Sequence, residues 1–301
     1  MTASRLSIAV VGPGAVGGVV AAWLSKSPLV GELTLCARSS LDRLVVQTPD
    51  GGEIQADPRV VTDPAQITAP VDWVLIATKA YDIAGAAGWL GPLVGPDTHV
   101  AVLQNGVDHV ERFTPYLAAE RILPVMVDIP CERSAPGRIN HRRTGDVVVP
   151  AGAAGDAFVA LFDPSPIATR TTDDFKSVAW AKLALNCSGA LNVLTGRPGG
   201  VVRADGLADL TRAMVWECVR VGRAEGAVLD DGIPDWVVER ALSNPADSTN
   251  SILADRLAGR PMEWDARNGV IVRLGRKHGI ETPINALCTT LMAAVAWTPD
   301  A

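Results

Sequence analysis

Hydrophobic positions in the first half of the chain fall into short runs that polar or glycine-rich segments separate. The runs rich in β-branched residues predict strands at residues 7–11, 33–37, 71–77, 99–103 and 122–127. Helical or irregular segments lie between them, and this alternation is typical of a parallel sheet with helices on both faces. Residues 137–141 and 146–149, on either side of a turn with Arg142 and Arg143, predict a final antiparallel hairpin.

After Asp173 and Asp174 the hydrophobic period becomes helical, and no further strand is predicted. Helices are predicted at residues 175–195, 207–225, 236–242, a short stretch after Ser251, 262–278 and 285–297. Gly279 is suited to cap one helix and Pro283 to begin the next. We therefore expect an α/β domain over residues 1–170 and an all-helical domain over 171–301. A ligand bound by both would lie in the cleft between them.

The first predicted strand runs directly into a glycine-rich turn and an apolar helix that continues to about Lys26. Gly12 permits a tight turn, Gly14 leaves room for a pyrophosphate, and Gly17 lets the helix pack closely on the strand. The amides at the helix N-terminus would point at the phosphates. We expect a Rossmann-like dinucleotide-binding domain whose cofactor contacts include Gly12, Pro13, Gly14, Ala15, Val16 and Gly17. The alternative is a strand–helix turn that is merely tight.

An arginine ends the second predicted strand, where an NAD site usually has a carboxylate for the ribose. Arg38 is followed by Ser39 and Ser40. A guanidinium can make paired, charge-assisted hydrogen bonds to a 2′-phosphate, so we expect NADP (NADPH) rather than NAD. In the alternative interpretation Arg38 is an ordinary surface residue, and Glu32 or Asp42 binds the ribose.

The composition excludes several classes of function. The 301 residues have a net charge of −6, which gives no general attraction for nucleic acid or anionic membranes. Glycine and proline interrupt the apolar run at residues 6–25, which argues against a membrane span or a signal peptide. The five cysteines are widely spaced, which favours reduced thiols in the cytoplasm. The four histidines have no ligand spacing, and we expect no metal site.

Lys182 and Asn186 lie one turn apart on a predicted helix whose other residues are nearly all apolar. A helical lysine is ordinarily a solvated surface residue. In this apolar context the two side chains need a polar partner, which a substrate would provide. Partial burial would lower the pKa of Lys182 toward neutrality, which suits a proton donor. Glu263, near the start of a later helix, could orient the site, although the helix dipole alone also favours an acidic residue there.

Together these motifs resemble the ketopantoate reductases (2-dehydropantoate 2-reductases) over nearly the whole chain. The matching segments are G-P-G-A-V-G-G at 12–18, T-K at 78–79, L-Q-N-G-V at 103–107, K-L-x-x-N at 182–186, S-x-x-x-D at 251–255 and E-x-D at 263–265. Two positions differ from the usual family pattern: Ala190 stands where a second asparagine is common, and Trp264 where a smaller aliphatic residue is commoner.

The resemblance implies a role for each matching residue. Lys182 would be the proton donor, Asn186 a substrate ligand, and Ser251 a ligand of the substrate carboxylate end. Glu263 would act near both cofactor and substrate, and Lys79 and Asn105 would line the nicotinamide side of the cofactor, with Asn105 also contacting substrate. The alternative for Asn105 is a residue of a simple turn, and for Lys79 an exposed lysine at a helix start.

We expect NADPH-dependent reduction of a 2-oxo acid to a 2-hydroxy acid, with 2-dehydropantoate and pantoate as the leading pair. Two alternatives are a β-hydroxyacid dehydrogenase and a regulator that binds NADP without turnover. The spacing of Ser251 and Glu263 favours the first interpretation. The expected partner is a small-molecule 2-oxo acid, with no nucleic acid and no membrane. A homodimer is one assembly open to the chain.

Overall fold

A computed structural model describes residues 5–163 and 165–296, which divide into two compact units. The first unit comprises the chain up to Gln104 together with Asp108–Phe175. The second comprises Asn105–Val107 and the chain from Lys176 onward. The sequence predicts a boundary near residue 170, with Asn105–Val107 in the first domain, whereas the structure groups this short segment with the second unit.

The strands all lie in the first unit. In chain order they are β1 (Leu6–Val11), β2 (Val30–Cys36), β3 (Leu44–Gln47), β4 (Glu53–Ala56), β5 (Arg59–Val61), β6 (Trp73–Ile76), β7 (His99–Val102), β8 (Ile122–Pro124), β9 (Met126–Asp128), β10 (Cys131–Ala135), β11 (Arg138–His141), β12 (Asp146–Pro150) and β13 (Ala168–Thr172). The α-helices between them are α1 (Ala15–Leu24), α2 (Ile83–Ala87), α3 (Leu90–Leu93), α4 (His109–Phe113) and α5 (Ala153–Ala160).

A six-stranded parallel sheet forms the centre of this unit, in the order β5-β2-β1-β6-β7-β8. The chain leaves β1 for β2 on one side and later enters β6 on the other side. The carboxyl ends of β1 and β6 are therefore the switch point of the sheet, which is where open α/β sheets bind ligands. Two smaller sheets have the orders β10-β11-β3-β4 and β13-β12-β9.

Both faces of the large sheet are buried, as the alternation of its elements predicted. Side chains of successive strand residues point to opposite faces, and in β1 Ile8 and Val10 pack in the core that includes α1. Ala9 and Val11 pack in a second core on the other face. The predicted Rossmann-like architecture is therefore confirmed.

The predicted hairpin of residues 137–141 and 146–149 is wrong. β11 pairs with β10 and β3, whereas β12 pairs with β9 and β13, so the two segments belong to different sheets. The hairpin that does form joins β10 to β11 through Pro136 and Gly137. Gly137 has φ +71°, a backbone conformation that residues with a Cβ atom seldom adopt.

Several strands were not predicted, and the strand expected at residues 122–127 is divided. β8 joins the large sheet, and after Val125 the chain enters β9 in the three-stranded sheet. The strands β4, β10 and β13, which the sequence analysis missed, lie at the edges of small sheets. Edge strands have an exposed side, and their mixed polar composition hides the alternation that identifies a half-buried strand.

The described residues of the second unit form helices and no strand. The helices are α6 (Phe175–Cys187), α7 (Gly189–Thr195), α8 (Leu207–Ala224), α9 (Ile233–Ser243), α10 (Ser251–Leu257), α11 (Val270–Lys277) and α12 (Pro283–Val295), with a π-helical turn over Asp265–Gly269. Gly279 has φ +65° just after α11 and Pro283 begins α12, as predicted. Trp297, the last residue of the predicted final helix, lies outside the described residues.

Two predicted helices of this unit are interrupted. The helix expected over 175–195 breaks at Ser188 into α6 and α7. The helix expected over 262–278 begins only at Trp264, so Glu263 precedes it, and its first turn is π-helical. Among the described residues, no helix is both long and apolar enough to cross a lipid bilayer.

A chain of buried hydrogen bonds crosses the helical core. The Glu217 carboxylate on α8 accepts from the backbone N–H groups of Ile284 and Asn285 at 2.9 Å each, and from Asn285 Nδ2 at 2.7 Å. Asn268 Nδ2 in turn donates to Asn285 Oδ1 at 2.9 Å and to the Cys187 carbonyl at 3.1 Å. This network ties α8, α12 and the π-helical turn to the end of α6.

We expect Glu217→Gln to destabilise the protein by about 2–4 kcal/mol, because one buried oxygen that accepts hydrogen bonds becomes an NH₂ donor facing N–H groups. Urea unfolding followed by far-ultraviolet circular dichroism measures the change. Glu239→Gln, on the exposed side of α9, is the matched control and should stay within about 0.5 kcal/mol of the unmutated protein. Equal stabilities for the two variants would contradict the structural role of Glu217.

Candidate active site

The glycine-rich turn after β1 contains two glycines that the protein itself requires. Gly12 has φ +86°, and a Cβ atom there would lie 2.7 Å from Thr78 Cγ2. A Cβ atom at Gly17 would lie 2.4 Å from the Gly12 carbonyl oxygen. Gly14 differs, because a Cβ atom there would meet no atom within 4 Å. The chain's own packing does not explain a glycine at this position, and the open space beside it fits a bound group.

The N-terminus of α1 borders this open space. Gly14 is the N-cap residue, with no side-chain capping hydrogen bond and no acidic residue in the first turn. The first amides of a helix have no acceptor within the helix, so those of Ala15 and Val16 need a partner from elsewhere. An anionic group such as a pyrophosphate satisfies both these donors and the helix dipole. The residues present therefore fit a dinucleotide.

Arg38 follows β2 at the same edge of the sheet and is exposed, as are Ser39 and Ser40. The alternative carboxylate Glu32 pairs with Ser7 near the start of β1, four residues before the end of β2. At the rise of an extended chain this is roughly 13 Å from the carboxyl edge. Glu32 is therefore badly placed to bind a ribose beside the glycine turn.

Lys79 follows β6, the other strand of the switch point, and is half-buried. The loop that contains it is held by Gln104, whose Nε2 donates to Thr78 Oγ1 at 2.9 Å. The carbonyl oxygen of Gln104 in turn lies 2.8 Å from Nε2 of the buried His109. These contacts give the loop that contains Lys79 a defined conformation.

In the second unit, Lys182 and Asn186 lie one turn apart on α6 and are both half-buried. Between them Leu183 and Ala184 are buried in the helical core. The lysine is thus neither a fully solvated surface residue nor a core residue. Its helix presents a polar stripe of two side chains along the margin of an apolar face.

Glu263 and Asn105 are brought together directly. Asn105 Nδ2 donates to Glu263 Oε2 at 3.0 Å, although the two residues are 158 positions apart in the chain. Glu263 is only 5% exposed. Glu263 directly precedes the first helical residue, Trp264, so the helix dipole and the hydrogen bond from Asn105 both favour an acceptor there.

Ser251 begins α10 and is exposed. The helix is capped by Asn250, whose Oδ1 accepts from Leu253 N at 2.9 Å and whose Nδ2 donates to Asn192 Oδ1 at 2.9 Å. Asn192, on α7, thus supports the start of α10. Ala190, which stands where the family commonly has a second asparagine, is buried in the core.

Arg267 belongs to the same region and was not identified from the sequence. Its Nη2 donates to Ser251 Oγ at 2.8 Å and its Nη1 to the Asn186 carbonyl at 3.4 Å, so it joins two predicted site residues. Burial lowers the pKa of its guanidinium, and the charges of Glu263 and Asp255 oppose that shift. A helical arginine close to acidic residues ordinarily predicts an exposed ion pair, and nothing in the local pattern indicates burial.

Comparison with known proteins agrees with this arrangement of motifs. Residues 8–154 match the family described as "Ketopantoate reductase PanE/ApbA", and residues 174–296 match "Ketopantoate reductase PanE/ApbA C terminal". The 2-dehydropantoate 2-reductase of Caulobacter vibrioides is 53% identical over 290 residues, which cover 96% of this chain and 99% of the relative. That of Mycobacterium tuberculosis is 40% identical over 292 residues, with 96% and 97% covered.

A solved structure shows the same fold. The crystal structure of a PanE/ApbA family ketopantoate reductase from Ralstonia eutropha superposes with a TM-score of 0.87 at 29% sequence identity, over 97% of this chain and 98% of that chain. The two family matches together span most of the sequence, and the curated relatives extend over nearly all of it. The chain therefore belongs to the ketopantoate reductase family.

Proposed function

We infer that the protein is an oxidoreductase that reduces the 2-oxo group of 2-dehydropantoate to the hydroxyl group of pantoate. The observation that supports this most strongly is the 53% identity to a 2-dehydropantoate 2-reductase over nearly the full length of both chains. The family assignment favours this function over the dehydrogenase and regulator alternatives. The proposed ligand is a small 2-oxo acid, and the reaction requires neither nucleic acid nor a membrane.

The pyrophosphate and the 2′-phosphate end of the nicotinamide cofactor would be held by the first unit. The amides at the start of α1 and the space beside Gly14 fit its pyrophosphate, and we propose that Arg38 binds a 2′-phosphate and so selects NADPH. Lys79 and Asn105 are the proposed residues on the nicotinamide side. When bound, the cofactor supplies a hydride to the carbonyl carbon of the substrate.

Lys182 is the proposed general acid. As negative charge develops on the substrate oxygen, its ammonium group donates a proton to that oxygen and becomes a neutral amine, which solvent reprotonates. The apolar neighbours of Lys182 on α6 limit competing hydration of the ammonium group. Asn186, one turn further along α6, is proposed to hold the substrate by hydrogen bonds from its amide.

Glu263 is proposed to orient the reacting groups. Its carboxylate can accept hydrogen bonds from a substrate hydroxyl or from Lys182, and its bond from Asn105 leaves further acceptor capacity. Ser251 is proposed to bind the carboxylate end of the substrate.

The assay that tests this function measures NADPH oxidation with a panel of 2-oxo acids that includes 2-dehydropantoate. We expect the highest kcat/KM for 2-dehydropantoate, with stoichiometric formation of pantoate. A markedly higher kcat/KM for another 2-oxo acid would replace the substrate while keeping the reaction type. Cofactor binding without oxidation in the presence of any of these acids would instead support the regulator alternative.

Gly14→Val should leave the protein folded and abolish cofactor binding, because a Cβ atom there meets no atom within 4 Å and the side chain enters the space proposed for the pyrophosphate. Isothermal calorimetry with NADPH and a thermal melt measure the two properties. Gly17→Val is the control with the opposite outcome, since its side chain collides with the Gly12 carbonyl and should lower Tm. Normal NADPH binding by Gly14→Val would show that this turn has only a structural role.

Arg38→Ala should remove most of the preference for NADPH over NADH. Loss of a charge-assisted contact costs roughly 1.5–3 kcal/mol, so NADPH affinity should fall about tenfold to a hundredfold while NADH affinity changes little. Arg133→Ala, an exposed arginine on β10, is the matched control for a change in surface charge. Equal affinity of the unmutated protein for both cofactors would refute the assignment of Arg38.

Lys182→Ala should lower kcat by about 10²–10⁴ with cofactor affinity nearly intact, the range for removing a general acid. Lys176→Ala, an exposed lysine on the same helix, should leave kcat unchanged. Glu263→Ala should impair the same step, and the losses should be less than additive in the double variant because the two residues act together. Reduction at the unmutated rate by Lys182→Ala would rule out this mechanism.

A further inference from the structure

Arg267 is a charged residue that is only 4% exposed, and its guanidinium contacts two proposed site residues, Ser251 and Asn186. Its Nε is buried without a hydrogen-bond partner among the described residues. The main chain makes room for it, since a Cβ atom at Gly189 would lie 3.3 Å from Arg267 Nη1. A guanidinium is a costly way to fill a helical core, and an apolar side chain would pack there without unsatisfied donors.

The contact with Ser251 determines which way the serine hydroxyl can act. A guanidinium has donors and no acceptor, so Ser251 Oγ accepts the hydrogen bond from Arg267 Nη2. The hydroxyl proton must then point away from Arg267 toward some other acceptor. Because Ser251 is exposed at the start of α10, that acceptor can be an oxygen atom of a bound ligand.

The charge behind the serine favours an anionic acceptor. The charges of the Glu263 and Asp255 carboxylates act on Arg267, and Asp255 is itself paired with Arg260 at 2.9 Å. Arginine stays protonated in proteins even where burial lowers its pKa. A ligand oxygen that accepts from Ser251 therefore lies one hydrogen bond away from a retained positive charge in a poorly solvated region.

We propose that Arg267 is a positioning residue that determines specificity: it holds the Ser251 hydroxyl as a donor and thereby selects a carboxylate at that end of the substrate. The identity of the carboxylate as that of 2-dehydropantoate or pantoate rests on the proposed function. The same guanidinium holds the end of α6 through the Asn186 carbonyl, so the substrate ligands Ser251 and Asn186 share one support.

The experiment compares a charged ligand with a neutral one of the same shape. Dissociation constants of pantoate and of its uncharged amide are measured by calorimetry with the protein saturated with NADP⁺, and KM and kcat are measured for 2-dehydropantoate. The variants are Arg267→Met, Arg267→Gln, Ser251→Ala and the double variant Arg267→Met with Ser251→Ala. Arg276→Met, an exposed arginine on α11, is the matched control.

We expect Arg267→Met to weaken pantoate binding about tenfold to a hundredfold while binding of the amide changes by about twofold or less. KM should rise by a similar factor, with a smaller change in kcat. Ser251→Ala should reduce the preference for the acid as well, and the double variant should lose no more than the more affected single variant. Arg276→Met should behave like the unmutated protein.

If Arg267 had a purely structural role, its replacement would weaken binding of pantoate and of the amide equally. An unchanged ratio of the two dissociation constants in Arg267→Met would therefore overturn the proposal. If Arg267→Met fails to fold, the same criterion applies to Arg267→Gln, which keeps a donor and removes the charge. An unmutated protein that does not reduce 2-dehydropantoate contradicts the proposed function instead. The ratio is then measured with the 2-hydroxy acid product of whichever 2-oxo acid the protein reduces.

Discussion

The chain of buried hydrogen bonds from Glu217 to the end of α6 is the constraint on which the helical unit depends. It satisfies the first amides of α12 from α8 and then passes through Asn285 and Asn268 to the Cys187 carbonyl. Every link lies in an apolar core, where an unsatisfied donor or acceptor would be costly. The network therefore specifies one arrangement of these helices, and the helix with Lys182 and Asn186 is held in that arrangement from its carboxyl end.

The break between α6 and α7 follows from the same contacts. Arg267 and Asn268 are consecutive residues of a π-helical turn, and they donate to the consecutive carbonyls of Asn186 and Cys187. Side-chain donors thus reach the backbone where the helix is interrupted at Ser188. π-Helical turns are rare and occur often at functional sites. In this protein the turn places two polar side chains next to each other. The amide of Asn268 bonds within the core, and the guanidinium of Arg267 bonds to Ser251.

The local sequence pattern predicts an element correctly where interactions within a short segment determine its structure. The strand, turn and helix around Gly12, Gly14 and Gly17 were predicted because conformational freedom and close approach are properties of a short segment. Polar edge strands such as β10 were missed because pairing partners distant in sequence stabilise them. The break at Ser188 and the burial of Arg267 have the same origin. Glu263 was named from its place near the start of a predicted helix and Asn105 through the family resemblance, but their contact spans 158 residues and has no local signature.

The second unit is discontinuous in sequence, because Asn105–Val107 belongs to it while the residues on both sides belong to the first. Val107 packs against the helical core, and Asn105 is the hydrogen-bond partner of Glu263. A gene fragment that begins at Lys176 would therefore encode nearly all residues of the helices of this unit and still omit residues that pack against its core. A chimaera that takes the helical unit from a related protein would have to take Asn105–Val107 from it as well. The structural unit is larger than the continuous stretch of sequence that contains its helices.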